Sequence, residues 1–310
     1  FFLGAKTTEL TNPKILPYIP NTNINNKNCL EHNKLSQALE NCRIELNKKN
    51  RTIFFVGDSM NEAITQAAGQ ISKELNNNIL VHSKQGSLLP VNTYYLKGDI
   101  TTGMSKNSRL KTDLIQKEFE TYLIENIKEN DIVVLSVLYS QYFAKIKGFD
   151  TFDKEFIFFD SKGIKLESQE AFFDDWINNL KRFNQSLNSK GAKLIIMKLG
   201  PAFHQTKFDG LNAGISAICK KEWFRLRECK EDKNYFIGPN GVYNEIEERL
   251  SELSIENNNI FLFDTLKAVC PQDICLYARD NISLYRDAIH YSNYSAREII
   301  APKLIKFIKN

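Results

Sequence analysis

What most restricts the fold of this chain is an alternation. Short apolar, β-branched and aromatic runs at 52–57, 78–82, 131–136, 193–198 and 259–263 are separated by helical patterns near 60–75, 111–128, 169–189 and 243–254, and a last helical pattern at 293–309 closes the chain. Runs with apolar residues at consecutive positions suit strands covered on both faces. Strand alternating with helix implies a parallel sheet whose crossover helices pack on its two sides. The expected fold is therefore α/β, a three-layer α/β/α sandwich on a mostly parallel five-stranded sheet. Such sheets place their sites at the carboxyl ends of the strands.

The first of these strands leads into Ile53-Phe54-Phe55-Val56-Gly57-Asp58-Ser59, so Ser59 falls at a strand-to-helix turn. A serine hydroxyl is a weak nucleophile, and acyl transfer needs an imidazole within hydrogen-bond reach and a carboxylate to hold the imidazole in the correct tautomer. Near the other end of the chain, Asp287-Ala288-Ile289-His290 supplies both. The three-residue spacing puts the two side chains on one face of a helical turn, with Nδ1 toward the carboxylate and Nε2 free for Ser59. The other histidines lack such a partner: His32, His82 and His204 follow Cys29, Ile79 and Pro201 at the same spacing. Asp58 is expected to cap or brace the nucleophile turn, leaving the role of triad acid to Asp287.

Taken together, the Gly57-Asp58-Ser59 and Asp287-x-x-His290 blocks resemble those of the SGNH (GDSL-type) hydrolase superfamily. The tail Val269-Cys270-Pro271-Gln272-Asp273-Ile274-Cys275, followed by Leu284-Tyr285 and Asp287-Ala288-Ile289-His290-Tyr291-Ser292, is similar to the C-terminal SGNH domain fused to acyltransferase-3 membrane proteins, the OafA-like O-acetyltransferases of cell-surface polysaccharides. In this chain Tyr291 replaces a leucine of the family's tail, and Ser295 a glycine. The resemblance covers about Arg51 to Asn310. It implies catalytic Ser59, Asp287 and His290, and an oxyanion hole from the N–H groups of Ser59 and Gly86, with any third donor from the Tyr139 region. Gly86 also reads as an ordinary turn residue. The Gly-x-Asn-Asp block of simple SGNH hydrolases is absent: after 131–136 comes Val137-Leu138-Tyr139-Ser140-Gln141-Tyr142. The fused acyltransferases also depart from that block.

Six cysteines permit 15 pairings. Nearness in sequence and the family's Cys-Pro…Cys habit give Cys29–Cys42, Cys219–Cys229 and Cys270–Cys275, which implies an oxidising, periplasmic or extracytoplasmic compartment. The competing reading is six buried thiols in a cytosolic protein. No Cys-x-x-Cys occurs, so no metal is expected, and no cofactor is implied. The net charge of +4 is spread evenly, with no basic run interleaved with aromatics, which argues against a nucleic-acid surface. No stretch approaches 18 apolar residues. Residues 1–50 read as a linker rich in proline and asparagine plus an extension helix near 35–48, with Cys29 and Cys42 tying the two, and residues 51–310 as the SGNH domain. On the resemblance, a transmembrane acyltransferase-3 domain lies upstream and delivers the acetyl group, with the full-length protein membrane-tethered.

Two stretches break the alternation: a hairpin expected around Asp160 to Gly163, and a long excursion over 202–241. Tyr139, Tyr142, Phe203 and Trp223 are candidates for a sugar-binding wall, or fill the core beneath these loops. Adjacent Asp174 and Asp175 face different directions on a helix and do not make a paired-carboxylate site. Gly238-Pro239-Asn240-Gly241 lacks the lysine and hydroxyl of a phosphate loop and reads as a turn. His204 reads as a pocket-edge or structural residue. The expected function is transfer of an acetyl group through a Ser59 acyl-enzyme to a sugar hydroxyl of an envelope glycan such as lipopolysaccharide or peptidoglycan. The alternatives are a free-standing carbohydrate esterase and a catalytically inactive glycan-binding module.

Overall fold

The structure, a computed structural model, describes residue 29 and residues 34–100, 105–143, 156–201, 230–238, 241, 243–270, 272–279, 282–286 and 289–310. Its centre is a six-stranded sheet. The strands are β1 (Arg43–Ile44), β2 (Thr52–Gly57), β3 (Asn78–Ser83), β5 (Ile132–Ser136), β8 (Lys193–Met197) and β10 (Ile260–Phe263), in the order β1-β3-β2-β5-β8-β10. All neighbours are parallel except β1, which runs antiparallel to β3. The five expected strands are present, and the register sets Gly57 opposite both Ser83 and Ser136. The central strand β2 thus ends between two others at the carboxyl edge.

The sixth strand was not expected, and its origin is local. The helix expected near 35–48 stops early, at α1 (Leu35–Asn41). Cys42 is joined to Cys29 by a disulfide, and its carbonyl accepts from Val81 N at 2.8 Å, which pulls the chain onto the edge of β3. The side chain of Asn78 then pins the next turn. Its Oδ1 accepts from Leu46 N (2.9 Å) and Asn47 N (3.2 Å), while Nδ2 donates to the carbonyls of Asn47 (2.8 Å) and Asn50 (3.1 Å). A single buried amide therefore satisfies backbone groups that a helix would otherwise pair internally.

The crossover helices follow their predicted positions with one break. The pattern over 60–75 is two helices, α2 (Ser59–Thr65) and α3 (Ala68–Leu75), the second ending on Asn76 in the left-handed conformation (φ 52°). Helix α4 (Lys106–Asn126) is capped by Ser105, and α5 (Gln169–Ser189) by Ser168, whose hydroxyl accepts from Ala171 N at 3.0 Å. On α5, Phe172, Phe173, Trp176, Leu180, Phe183 and Leu187 form the buried stripe that packs on the sheet. Helix α6 (Asn244–Glu256) precedes β10. At the end of the chain a wider π-type turn over Ser295–Ile300 leads into α7 (Ala301–Lys309), with Pro302 in its first turn.

Three small sheets accompany the main one among the described residues. The expected hairpin is present as β6 (Phe156–Phe159) and β7 (Lys165–Leu166), and β6 also pairs with β4 (Tyr94–Leu96). Strand β9 (Lys230–Asp232) pairs with β11 (Ile274–Leu276), and β12 (Ala278–Arg279) with β13 (Ile282–Ser283). Two disulfides, Cys29–Cys42 and Cys270–Cys275, match the expected pairs. The third expected pair, Cys219–Cys229, lies outside the described residues. Among the described residues no helix is long and apolar enough to cross a membrane, and no cluster of three metal-ligating side chains occurs.

Candidate active site

Strand β2 carries Ile53, Phe54, Phe55 and Val56, all buried because β3 and β5 flank it and helices cover both faces. The chain leaves the sheet at Gly57, where φ is +145°. A Cβ there would stand 1.9 Å from the Ser136 carbonyl oxygen, so only glycine permits the tight exit between β2 and β5.

Asp58 follows as the N-cap of α2 and is 1 % exposed. Its Oδ1 accepts from Met60 N at 2.8 Å, and Oδ2 accepts from Leu138 N at 2.9 Å and Tyr142 Oη at 2.8 Å. Burial pushes the Asp58 carboxyl above its ordinary range; the bonds from Leu138, Met60 and Tyr142 and the charge of His290 oppose that shift. Both carboxylate oxygens are thus committed to bracing the turn, the role the sequence assigned to Asp58.

Ser59, half-buried, opens α2, and its Oγ lies 2.8 Å from His290 Nε2. The two residues come from opposite ends of the chain, and several devices bring them together. Beyond the Cys270–Cys275 bridge, Tyr285 and Tyr291 form an isolated antiparallel bridge, and Arg286 N donates to the His290 carbonyl at 2.8 Å, so the chain reverses between them. Ser292 N and Ser295 Oγ both donate to the Leu284 carbonyl, at 3.0 and 2.6 Å, and secure the far side of the reversal. Tyr277, Tyr285 and Tyr291 are all buried and pack ring against ring beneath it. Asp287 lies outside the described residues.

On the other side of Ser59, Asn61 is fully buried and its Nδ2 donates to Ser83 Oγ (2.7 Å) and the His82 carbonyl (3.2 Å), which fixes α2 to the end of β3. Lys84 N donates to the Gly57 carbonyl at 3.0 Å, extending the β2–β3 pairing to the turn that carries Ser59. The following turn closes through Ser87 N to the Lys84 carbonyl, with Gly86 at φ +63°. The left-handed φ is what favours glycine here; a Cβ would also meet Arg109 Nη1 at 2.5 Å, a side-chain end that can shift. The Gly86 carbonyl accepts from Tyr94 Oη at 2.9 Å and from Arg109 Nη1, and Ser87 Oγ donates to Asp113 Oδ1 at 2.6 Å. Burial raises the Asp113 carboxyl to about 6 against the pull of Ser87 and Arg109, and lowers Lys84 to about 8, with Lys111 adding to that shift.

The remaining candidates separate cleanly. Tyr139 is fully buried with its ring edge on Trp176, and Tyr142 is 1 % exposed among Tyr94 and Phe143. Both side chains fill the core rather than form an exposed wall, and Tyr142 also braces Asp58. Phe203, His204 and Trp223 lie outside the described residues. His82 is a core histidine: its Nε2 is 2.8 Å from Gln116 Oε1 and its ring stacks on Phe119 at 3.8 Å. Asp174 pairs with Arg249, whereas Asp175 accepts from Asn92 and Asn179, so the adjacent carboxylates do diverge. Gly241 N donates to the Gly238 carbonyl in a turn.

Three contributors were not singled out in the sequence. Asn61 and Glu62 lie in the first turn after Ser59, the one local signal that marks them; Arg109 gives none. Glu62 Oε2 is 3.1 Å and Oε1 3.5 Å from the two terminal nitrogens of Arg286.

A family profile for the SGNH domain fused to AT3 domains matches residues 28–302. The chain belongs to that family. Among solved structures, this SGNH domain is similar to the periplasmic domain of a lipopolysaccharide acetyltransferase from Salmonella ser. Paratyphi A, at 15 % identity and a TM-score of 0.53 over 88 % of this chain and 89 % of that one. It is also similar to a catalytic mutant of an acetylxylan esterase from Geobacillus stearothermophilus (11 % identity, TM-score 0.42, 86 % and 96 % covered) and to an acylhydrolase described from Bacteroides fragilis (11 %, 0.41, 89 % and 93 %). At these identities the likeness is one of fold. No curated protein matches the chain by sequence.

Proposed function

We propose that this SGNH domain is an extracytoplasmic serine O-acetyltransferase that acts on a sugar hydroxyl of a cell-envelope polysaccharide. The observation that carries the reading is the 2.8 Å contact between Ser59 Oγ and His290 Nε2, made by two half-buried side chains at the carboxyl edge of the sheet. For Nε2 to accept the hydroxyl proton, the ring's own proton sits on Nδ1, and Asp287, three residues upstream, is the group assigned to hold it there. Ser59 Oγ attacks the acetyl carbonyl while His290 takes its proton. Collapse of the tetrahedral intermediate expels the donor group, which leaves with the proton from His290. The acceptor hydroxyl then gives its proton to His290 as its oxygen takes the acetyl group, and Ser59 is regenerated. The N–H groups of Ser59 and Gly86 are assigned to the oxyanion, with any third donor drawn from the chain around Tyr139, whose own ring is buried in the core.

Membership in a family of SGNH domains fused to AT3 domains supports transfer over hydrolysis, since an acyltransferase-3 domain on the same chain is the donor this reading requires. The disulfides suit an oxidising compartment. The test uses the chain with a fluorophosphonate probe, then with p-nitrophenyl acetate and an oligosaccharide acceptor. Labelling that vanishes in Ser59→Ala, with acetate appearing on the sugar, is the expected result. Acetate release without transfer would assign an esterase, and absence of labelling in the unaltered protein would assign an inactive binding module.

A further inference from the structure

Glu62 and Arg286 face each other as two parallel forks, with Nη2 to Oε2 at 3.1 Å and Nη1 to Oε1 at 3.5 Å, across 224 residues of sequence. This two-point geometry fixes orientation as well as distance. Glu62 sits one helical turn after Ser59 on α2, and its side chain is 13 % exposed; that of Arg286 is 47 % exposed. Arg286 N donates to the carbonyl of His290. A closed circuit results: Ser59 to Glu62 through the first turn of α2, Glu62 to Arg286 through the ion pair, Arg286 to His290 through the backbone bond, and His290 to Ser59 through the 2.8 Å contact.

We propose that the Glu62–Arg286 pair is a positioning clamp for the reaction, holding the histidine-bearing reversal at the register that puts Nε2 against Ser59 Oγ. The proposal rests on the Ser59–His290 reading above. An ion pair whose guanidinium is about half exposed contributes little to global stability, so the clamp acts on geometry. A 1 Å displacement of a catalytic group costs up to about a hundredfold in rate. Neither side chain is assigned a contact with the reacting atoms.

The experiment compares Glu62→Gln, Arg286→Gln, Arg286→Lys and the charge swap Glu62→Arg/Arg286→Glu with the unaltered chain. On p-nitrophenyl acetate, kcat is expected to fall about tenfold in each Gln variant with KM within twofold. Arg286→Lys keeps the charge but not the fork and should fall between. The swap should recover to within about threefold of the unaltered chain, since the pair is restored at a modest helix-end cost. Unchanged kcat in the Gln variants, or no recovery in the swap, overturns the clamp. A second readout does not depend on turnover: the 15N resonance of the His290 ring, which reports whether Nε2 accepts a hydrogen bond. That signature should weaken in Glu62→Gln and return in the swap, and an identical resonance in all variants overturns the clamp even if the chain turns over no ester. An active parent with unaffected variants refutes the clamp alone, whereas an inactive parent that the fluorophosphonate does not label refutes the catalytic reading.

Discussion

Replacing Asp58 separates bracing from the proposed catalysis, because the residue holds the Ser59 turn with both carboxylate oxygens engaged. In Asp58→Ala, the N–H groups of Met60 and Leu138 and the hydroxyl of Tyr142 lose their acceptor at a position only 1 % exposed. Each buried N–H left unpaired costs about 1–3 kcal/mol, while the Tyr142 hydroxyl can rotate. Against this, burial disfavours the carboxylate, as its raised pKa records, and removing it relieves that penalty. The net expectation is a loss of about 3–4 kcal/mol, roughly 5–6 °C in Tm for a chain of this size. Urea unfolding followed by the fluorescence of buried Trp176 measures it. The conservative Asp58→Asn keeps one acceptor oxygen and should lose about 2 kcal/mol. Well below its Tm, it should be labelled by fluorophosphonate within about tenfold of the unaltered rate. If Asp287 rather than Asp58 orients the imidazole, Asp287→Asn should slow labelling by roughly 10³–10⁴. An Asp58→Ala variant within 0.5 kcal/mol of the parent, or an Asp58→Asn that is as slow as Asp287→Asn, would refute the assignment of Asp58 as a brace.

Two further outcomes follow from the same neighbourhood. Gly57→Ala forces a Cβ against the Ser136 carbonyl at φ +145° and should cost about 2–4 kcal/mol in thermal or urea unfolding; a Tm within 1 °C of the parent would contradict the close approach. Asp113 has a folded-state pKa raised from 3.8 to about 6, so its contribution to stability is fully present below about pH 4 and is lost as pH rises through 6. That loss is worth about 3 kcal/mol, and the stability of Asp113→Asn relative to the parent should climb by that order between about pH 4 and 7.5; a difference flat with pH would place the carboxyl in solvent.

Residues whose meaning is local were legible in the sequence, and residues that act through distant partners were not. The run Ile53 to Ser59 announces a buried strand and a sharp exit because apolar continuity and glycine are readable one position at a time. The pairing of Cys29 with Cys42 was expected, yet its consequence was not: the bridge ends α1 and delivers Cys42 to the edge of β3, turning an expected stretch of helix into β1. Asn78 reads as an unremarkable polar residue at a strand start, and its four bonds to residues 46–50 exist only once the sheet has formed. The same limit governs the site. Ser59 and His290 were found because their chemistry is distinctive, whereas Glu62 and Arg286 are ordinary charged residues until α2 and the reversal after β13 bring them within 3.1 Å. Arg109 likewise becomes part of the Gly86 turn only through packing of α4. The proposed nucleophile and base can be read from the ends of the chain, whereas the polar side chains around them, Asn61 and Glu62 on α2, Arg109 on α4 and Arg286 in the tail, take their places only through the fold. If the proposed reaction holds, Glu62 and Arg286 are where substitutions outside the Ser59–His290 pair are expected to slow it without unfolding the sheet.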